Sequence, residues 1–269
     1  MNDTVSVPVG TPRMAAEIDG SIGWMIFNKP ERRNAVSLDM WEAMPDILHR
    51  FEDDPAVRVI VLKGAGDRAF VSGADISQFA TARASAESNA AYDRISERAE
   101  KALMDCGKPT IAMIQGYCIG GGLAIAIGCD LRIASDDARF GIPAARLGLG
   151  YGAPGVRKLL NLVGPSFTKE IFFTARHFTA GEALAMGLVN RVVGTAALED
   201  YTRQYCATIG DNAPMTMNTL KRTVAEAMRG NEADWALCGR LVADCFASQD
   251  YIEGRTAFME KRRPVFRGV

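Results

Sequence analysis

The chain has 269 residues, 48% of them hydrophobic, and a formal net charge of −1. That length fits one large α/β domain or a core with a smaller second unit, and the near-neutral balance gives no electrostatic case for a nucleic acid or a membrane surface. Apolar stretches stay far below membrane-span length, and the first dozen residues lack a basic region followed by an apolar run.

The six cysteines lie in apolar contexts without a Cys-x-x-Cys pair, so they read as reduced, mostly buried thiols and the expected setting is the cytoplasm. Only two histidines are present, which leaves little for a metal site, and none is expected.

In chain order, Met14–Ile18 and Ile22–Phe27 flank Asp19-Gly20-Ser21 and predict a hairpin. Ser37 precedes a helical spacing that runs from Leu38 to about Phe51. Val57–Lys63 reads as a buried strand and Ala69–Val71 as a short one, followed by Ser72-Gly73-Ala74-Asp75. A polar stretch rich in Ala and Ser at 80–92 reads as loosely helical or mobile, with firm helix resuming to about Asp105. Thr110–Gln115 predicts a strand, and Gly120-Gly121-Gly122 opens a helix to Cys129. Two short strands follow at Leu131–Ala134 and Ala138–Phe140. From Ala153 the pattern is mostly helical, broken near Gly164-Pro165 and by a strand-like Val189–Val193. The first half therefore repeats strand–strand–helix, and the second half is helical. No Rossmann or Walker sequence follows a strand, so nucleotide-fold readings are weak.

Two glycine corners each end a strand and can point a backbone N–H at a ligand: Ser72-Gly73-Ala74-Asp75 and Gly120-Gly121-Gly122. A pair of such donors suits an oxyanion, while each alone is also what an ordinary strand–helix turn looks like. Spacing alone does not link them.

Several segments together resemble the crotonase superfamily, the enoyl-CoA hydratase/isomerase family. They are Asn28-Lys29-Pro30-Glu31-Arg32-Arg33-Asn34-Ala35, Ala69 through Ile76, Gln115 through Gly122, Phe140-Gly141-Ile142-Pro143, Thr179 through Asn190, and Ala257 through Arg262. The resemblance spans essentially the whole chain. It implies an α/β fold of the ClpP/crotonase type: a spiral of ββα units over residues 1–200 that carries the acyl-CoA site, with a helical trimerisation region over 201–269. It implies an acyl-CoA thioester substrate, no separate cofactor, and a homotrimer or dimer of trimers. The thioester oxygen would lie between the N–H groups of Ala74 and Gly121. Ser72, Gly73, Asp75 and Ile76 would border the CoA moiety, and Arg32 or Arg33, next to Ala35, would approach its phosphates. Gly120 belongs to the same corner. Phe258 and Lys261 would come from the C-terminal helix, in many relatives that of a neighbouring subunit.

Hydratases of this family carry one glutamate two residues after the glycine triplet and another after the Phe-Gly-x-Pro turn. Here those positions are Ala124 and Ala144. Each positioned proton-transfer group contributes roughly 10²–10⁴ in rate, so efficient hydration is not expected. Decarboxylation of a malonyl-type thioester needs chiefly enolate stabilisation, and decarboxylase, isomerase or other lyase chemistry is favoured. Leu147 through Tyr151 and the tail from Ser248 to Phe266 are similar to methylmalonyl-CoA decarboxylase, in which Tyr151 would match an active-site tyrosine. That enzyme has His where this chain has Ala74.

Tyr151 is thus a candidate proton donor, with simple ring packing as its alternative. Arg146 reads as a surface or inter-subunit charge, with a substrate carboxylate as its alternative partner, Asp130 as structural, Asp75 as a cap for the next turn, and Cys118 as a buried thiol. His49 and His177 fit surface positions. Ala124, Ala144 and Met113 suggest a roomy apolar pocket. A non-catalytic acyl-CoA-binding paralogue and an acyl-CoA thioesterase remain the alternatives.

Overall fold

A computed structural model describes residues 4–75 and 86–269. In chain order it contains β1 (Val5–Val7), β2 (Met14–Asp19), β3 (Ile22–Phe27), α1 (Leu38–Asp53), β4 (Val59–Gly64) and β5 (Ala69–Val71). Then come α2 (Ala86–Asp105), β6 (Thr110–Ile114), β7 (Tyr117–Ile119), α3 (Gly121–Gly128), β8 (Leu131–Ser135) and β9 (Arg139–Gly141). The remainder is α4 (Ala153–Thr174), β10 (Phe178–Thr179), α5 (Ala180–Ala185), β11 (Arg191–Val193), α6 (Leu198–Gly210), α7 (Pro214–Ala227), α8 (Trp235–Ala247) and α9 (Gln249–Glu260).

The strands form two sheets, a seven-stranded one in the order β1-β2-β3-β4-β6-β8-β11 and a four-stranded one in the order β10-β9-β7-β5. The hairpin pairs β2 with β3 antiparallel, and from β3 to β11 the larger sheet is parallel. Successive strands along the chain therefore alternate between sheets: β4 then β5, β6 then β7, β8 then β9. Each strand–strand–helix turn adds one strand to each layer, and the result is a spiral.

Period-2 alternation divides the larger sheet into two buried faces. Met25 and Phe27 of β3, with Ala112 and Ile114 of β6, face the main core under α1, α2 and α3. Trp24 and Ile26, with Ile111 and Met113, face a second core that Leu198 and Cys206 of α6 complete. Met113 thus points into this second core, away from α1, α2 and α3, and the expectation that it widens an acyl pocket is corrected by the strand register. Helix α1 buries Met40, Trp41, Met44, Ile47, Leu48 and Phe51, the stripe that its sequence spacing predicts.

The strand predicted at Thr110–Gln115 is present as β6, and a second, unpredicted strand, β7, stands between it and the glycine triplet. Gly116 takes φ +61, and a Cβ there would stand 2.1 Å from the Arg68 carbonyl oxygen. This tight corner transfers the chain from the larger sheet into the smaller one. The break expected near Gly164-Pro165 is present as a non-helical Gly164 inside α4. Among the described residues, no helix is long and apolar enough to cross a membrane.

Candidate active site

Strand β5 leads straight into the first glycine corner, and the loop before α1 fixes it in place. Asn34, buried at φ +55, donates from Nδ2 to the carbonyls of Ala65 and Ala69, while its Oδ1 accepts from the N–H of Lys29. The loop then pairs with the corner as a parallel bridge between Val36 and Ala74. Val36 N–H donates to Gly73 (2.8 Å), and Asp75 N–H donates to Val36 (2.9 Å). The Ala74 N–H takes part in neither bond.

The second corner follows β7. Gly120 sits at φ +53 and ψ −115, a region open to glycine, and its N–H donates to the Gly141 carbonyl of β9 at 2.8 Å. Gly121 is the first residue of α3, so its N–H has no carbonyl one turn back within the helix. The two corners meet. A Cβ on Gly121 would lie 3.6 Å from the Ala74 nitrogen and 3.7 Å from the Trp41 ring, and one on Gly120 would lie 3.9 Å from Cα of Gly73. Gly122 permits the approach: a Cβ there would stand 2.1 Å from the carbonyl oxygen of Val71, at the end of β5.

Both corners open on a cavity of about 330 Å³. Ala124 (8% exposed) and Ala144 (6%) lie on its wall, so two methyl groups stand beside the glycine corners. Ile119, Ile127 and Ile142 extend the apolar lining. Trp41 is held there by a 2.9 Å hydrogen bond from its Nε1 to the Tyr92 hydroxyl on α2. Tyr151 also lines the cavity, packed edge-on against Phe172 with ring centroids 4.8 Å apart. Burial and the negative charge of Glu100 push its hydroxyl up to about 12, so near neutral pH it is a protonated donor.

The structure thus gathers Ser72, Gly73, Ala74, Gly120, Gly121, Ala124, Ala144 and Tyr151 around one cavity. Other predicted site residues stand elsewhere. Arg32 and Arg33 are exposed, with the Arg33 guanidinium 5.0 Å over the Tyr117 ring, and Ala35 is half-buried beside them. Their loop nevertheless touches the rim, because Ser72 N–H donates to the Arg33 carbonyl at 3.1 Å. Asp75, read as a cap, is buried and ion-paired with Lys29 at 2.6 Å, a long-range contact that spacing does not reveal. Ile76 lies outside the described residues, as does much of the polar stretch at 80–92. Phe258 is 83% exposed near the end of α9, and Lys261 caps that helix. Phe258 lines a separate apolar groove between α7, α8 and α9 rather than the cavity at the corners.

The remaining candidates fall where their residue types suggest. Cys118 is fully buried, and desolvation holds its thiol well above its ordinary value. Asp130 is structural: its Oδ2 accepts from the backbone and hydroxyl of Thr110 and from Lys221. Arg146, His49 and His177 are exposed.

Sequence reading missed the charged part of the cavity. Glu97 and Glu100 of α2 line it, as does Lys158 of α4, and Lys158 Nζ pairs with Oε2 of Glu100. A faint signal was present. Glu100 follows Ala99, which sits on the buried stripe of α2 with Tyr92 and Leu103, so Glu100 flanks the face turned toward the protein.

Fold and site define a class: two stacked sheets wound from ββα units, with paired glycine corners at an apolar cleft. The chain belongs to the enoyl-CoA hydratase/isomerase family, whose pattern it matches over residues 17–269. It is 35% identical to the short-chain-enoyl-CoA hydratase of Clostridium acetobutylicum over 253 residues, 92% of this chain and 94% of that one. It is 34% identical to the carnitinyl-CoA dehydratase of Proteus mirabilis, over 93% of this chain and 96% of that one. The crystal structure of an enoyl-CoA hydratase/carnithine racemase from Magnetospirillum magneticum superposes with a TM-score of 0.91 at 32% identity, covering 97% of both chains. These relatives lend no support to a special likeness to methylmalonyl-CoA decarboxylase.

Proposed function

We propose that this protein binds an acyl-CoA thioester with the thioester oxygen between the N–H groups of Ala74 and Gly121, and that it catalyses enolate chemistry other than efficient hydration. The observation that carries the reading is the approach of Gly121 to the Ala74 nitrogen, at a wall where residues 124 and 144 are alanines. Two N–H donors aimed at one point stabilise charge that develops on oxygen, and losing one costs roughly 3–4 kcal/mol in comparable sites. Hydration also needs one group to deprotonate water and another to protonate carbon, and methyl groups do neither. Decarboxylation, isomerisation or another lyase step places its charge on the same oxygen. The hydratase and dehydratase names of the relatives support the substrate class.

In the same reading, Ser72, Gly73 and Asp75 border the CoA arm, with Ile76 beyond them. Arg32 and Arg33 extend toward its phosphates from a loop bonded to the cavity rim. The assembly is a homotrimer or dimer of trimers, in which Phe258 and Lys261 serve a neighbouring site. The exposed Leu220, Phe246, Phe258 and Met259 on α7 to α9 are apolar surface that such an assembly would cover. CoA arrives as part of the substrate, with no separate cofactor. A cytoplasmic setting accords with six free cysteines.

The test is a mass-spectrometric screen of malonyl-, methylmalonyl- and enoyl-CoA thioesters, followed by Tyr151→Phe on whichever is consumed. Loss of CO2 or a double-bond shift supports the reading. Water addition to crotonyl-CoA at ordinary hydratase rates refutes it. Tight binding of every thioester without turnover makes the protein a binder.

A further inference from the structure

The cavity has two poles. One is the backbone pair at Ala74 and Gly121. The other is the Glu100–Lys158 pair, set against Tyr151 and brought in by α2 and α4. Both charged side chains are mostly withdrawn from solvent, at 20% and 16% exposed. Partly buried charges are costly to hold, and this pair sits in the cavity where chemistry is expected. Lys158 engages Oε2 of Glu100. Among the described residues, Oε1 has no hydrogen-bond partner. Glu100 is close enough to Tyr151 for its charge to help hold the phenol protonated.

We infer that Glu100 is the proton-carrying carboxylate of this cavity, oriented by Lys158 and acting where positions 124 and 144 offer only methyl groups. The inference rests on the functional reading above. In the step it performs, the Cα–H bond of the bound thioester breaks and the proton passes to Oε1 of Glu100. The C–H electron pair becomes the Cα=C bond of the enolate, and the negative charge moves to the thioester oxygen at the two backbone N–H groups. Return of the proton to Cα regenerates substrate. Its return to a more distant carbon of an unsaturated chain gives the isomer. Lys158 stays protonated throughout and is a positioning residue. A cavity of about 330 Å³ is at the small end of ligand sites, so a short acyl group brings its Cα and both poles into one enclosure.

The experiment uses butyryl-CoA in D2O, a thioester with no double bond and no carboxylate to lose, and follows deuterium at Cα by mass spectrometry. Wild-type protein should exchange. Glu100→Gln should lower the exchange rate by roughly 10²–10⁴-fold, with butyryl-CoA binding by calorimetry unchanged. Glu100→Asp should restore part of the rate. If Glu100→Gln alone does not fold, the double variant Glu100→Gln, Lys158→Gln replaces the ion pair with a neutral amide pair, and it too should not exchange. Exchange at the wild-type rate in either Gln variant overturns this assignment and leaves the functional reading standing. Binding without exchange by the wild-type protein overturns this assignment and leaves decarboxylation, which breaks no Cα–H bond, as the functional reading that the thioester screen then tests.

Discussion

Gly121 and Gly122 are adjacent, yet the structure assigns them opposite sensitivities. A methyl at 121 meets its nearest neighbours at 3.6 Å (Ala74 nitrogen and Val36 Cγ1) and 3.7 Å (Trp41 ring), all ordinary contacts. Alanine also suits a helix better than glycine by up to about 1 kcal/mol, and by less in a first turn. Gly121→Ala should therefore fold with a melting temperature equal to or slightly above wild type. The methyl nevertheless occupies space beside the Ala74 N–H. An oxygen held by both donors must sit about 2.7–3.1 Å from each, so the variant should lose roughly 10²–10³ in rate. At 122 the methyl stands 2.1 Å from the Val71 carbonyl oxygen and 2.8 Å from its carbon. Both are backbone atoms, so α3 must lift from β5. Overpacking of this kind costs about 1–3 kcal/mol or more, and each kcal/mol moves the melting temperature by about 2–4 °C in a chain near this size. Thermal melts of both variants, with α-deuterium exchange on butyryl-CoA, separate the effects. A Gly121→Ala protein that exchanges like wild type refutes the position given to the oxygen. A Gly122→Ala protein that melts like wild type refutes the close approach of helix and strand.

Three further outcomes are expected. Ala124→Glu with Ala144→Glu should create crotonyl-CoA hydration, each carboxylate adding roughly 10²–10⁴ in rate; a folded double variant without hydratase activity would show that neither site reaches the double bond. Five of the six cysteines are buried, and burial pushes the Cys129 and Cys206 thiols up to about 12, so a disulfide reagent at pH 8 should label the native protein slowly and all six thiols at once in denaturant. Glu253 accepts from both terminal nitrogens of Arg262 and from the N–H of Val265, and these bonds hold its carboxyl down at about 2 against an ordinary 4.5. A depressed carboxylate stabilises fully above its ordinary value and loses that contribution as pH falls toward 2. The Val265 amide should accordingly stay protected from hydrogen exchange at pH 6 and lose protection in that acid window, and unchanged protection at pH 2 would dismiss the linkage.

What spacing encodes and what it does not can be traced to particular contacts. The stripe of α1 and the β2–β3 hairpin are local, so 3.6- and 2-residue periods reveal them. Which core each face of β6 joins is set by neighbouring strands, and Met113 was misplaced for that reason. The division of 110–119 into two strands depends on the Arg68 carbonyl pressing on Gly116, a contact between distant parts of the chain. β1 and β10 are short edge strands, too brief to carry a period. Within the site, glycine corners are legible because a turn of that kind needs glycine. The Lys29–Asp75 pair spans 46 positions and the Lys158–Glu100 pair 58, and neither leaves a local mark.

This asymmetry bears on how such a site changes its chemistry. Moving the backbone pole requires rebuilding several contacts together: Gly120 at its positive φ, Gly122 against Val71, Asn34 spanning two carbonyls, and the Val36–Ala74 bridge. Single substitutions at these points strain the backbone or strand a buried polar group. A proton carrier is one side chain on a cavity wall, and a glutamate-to-alanine difference at 124 or 144 leaves the packing of that wall intact. Under the proposed reading, substrate class is therefore bound to the fold through the backbone, while the reaction is set by whichever wall position carries a carboxylate. Family membership fixes the first and leaves the second open. In this chain the half-buried carboxylate belongs to α2 rather than to α3 or the turn after β9, and under the proposed assignment it is Glu100 that decides where protons go.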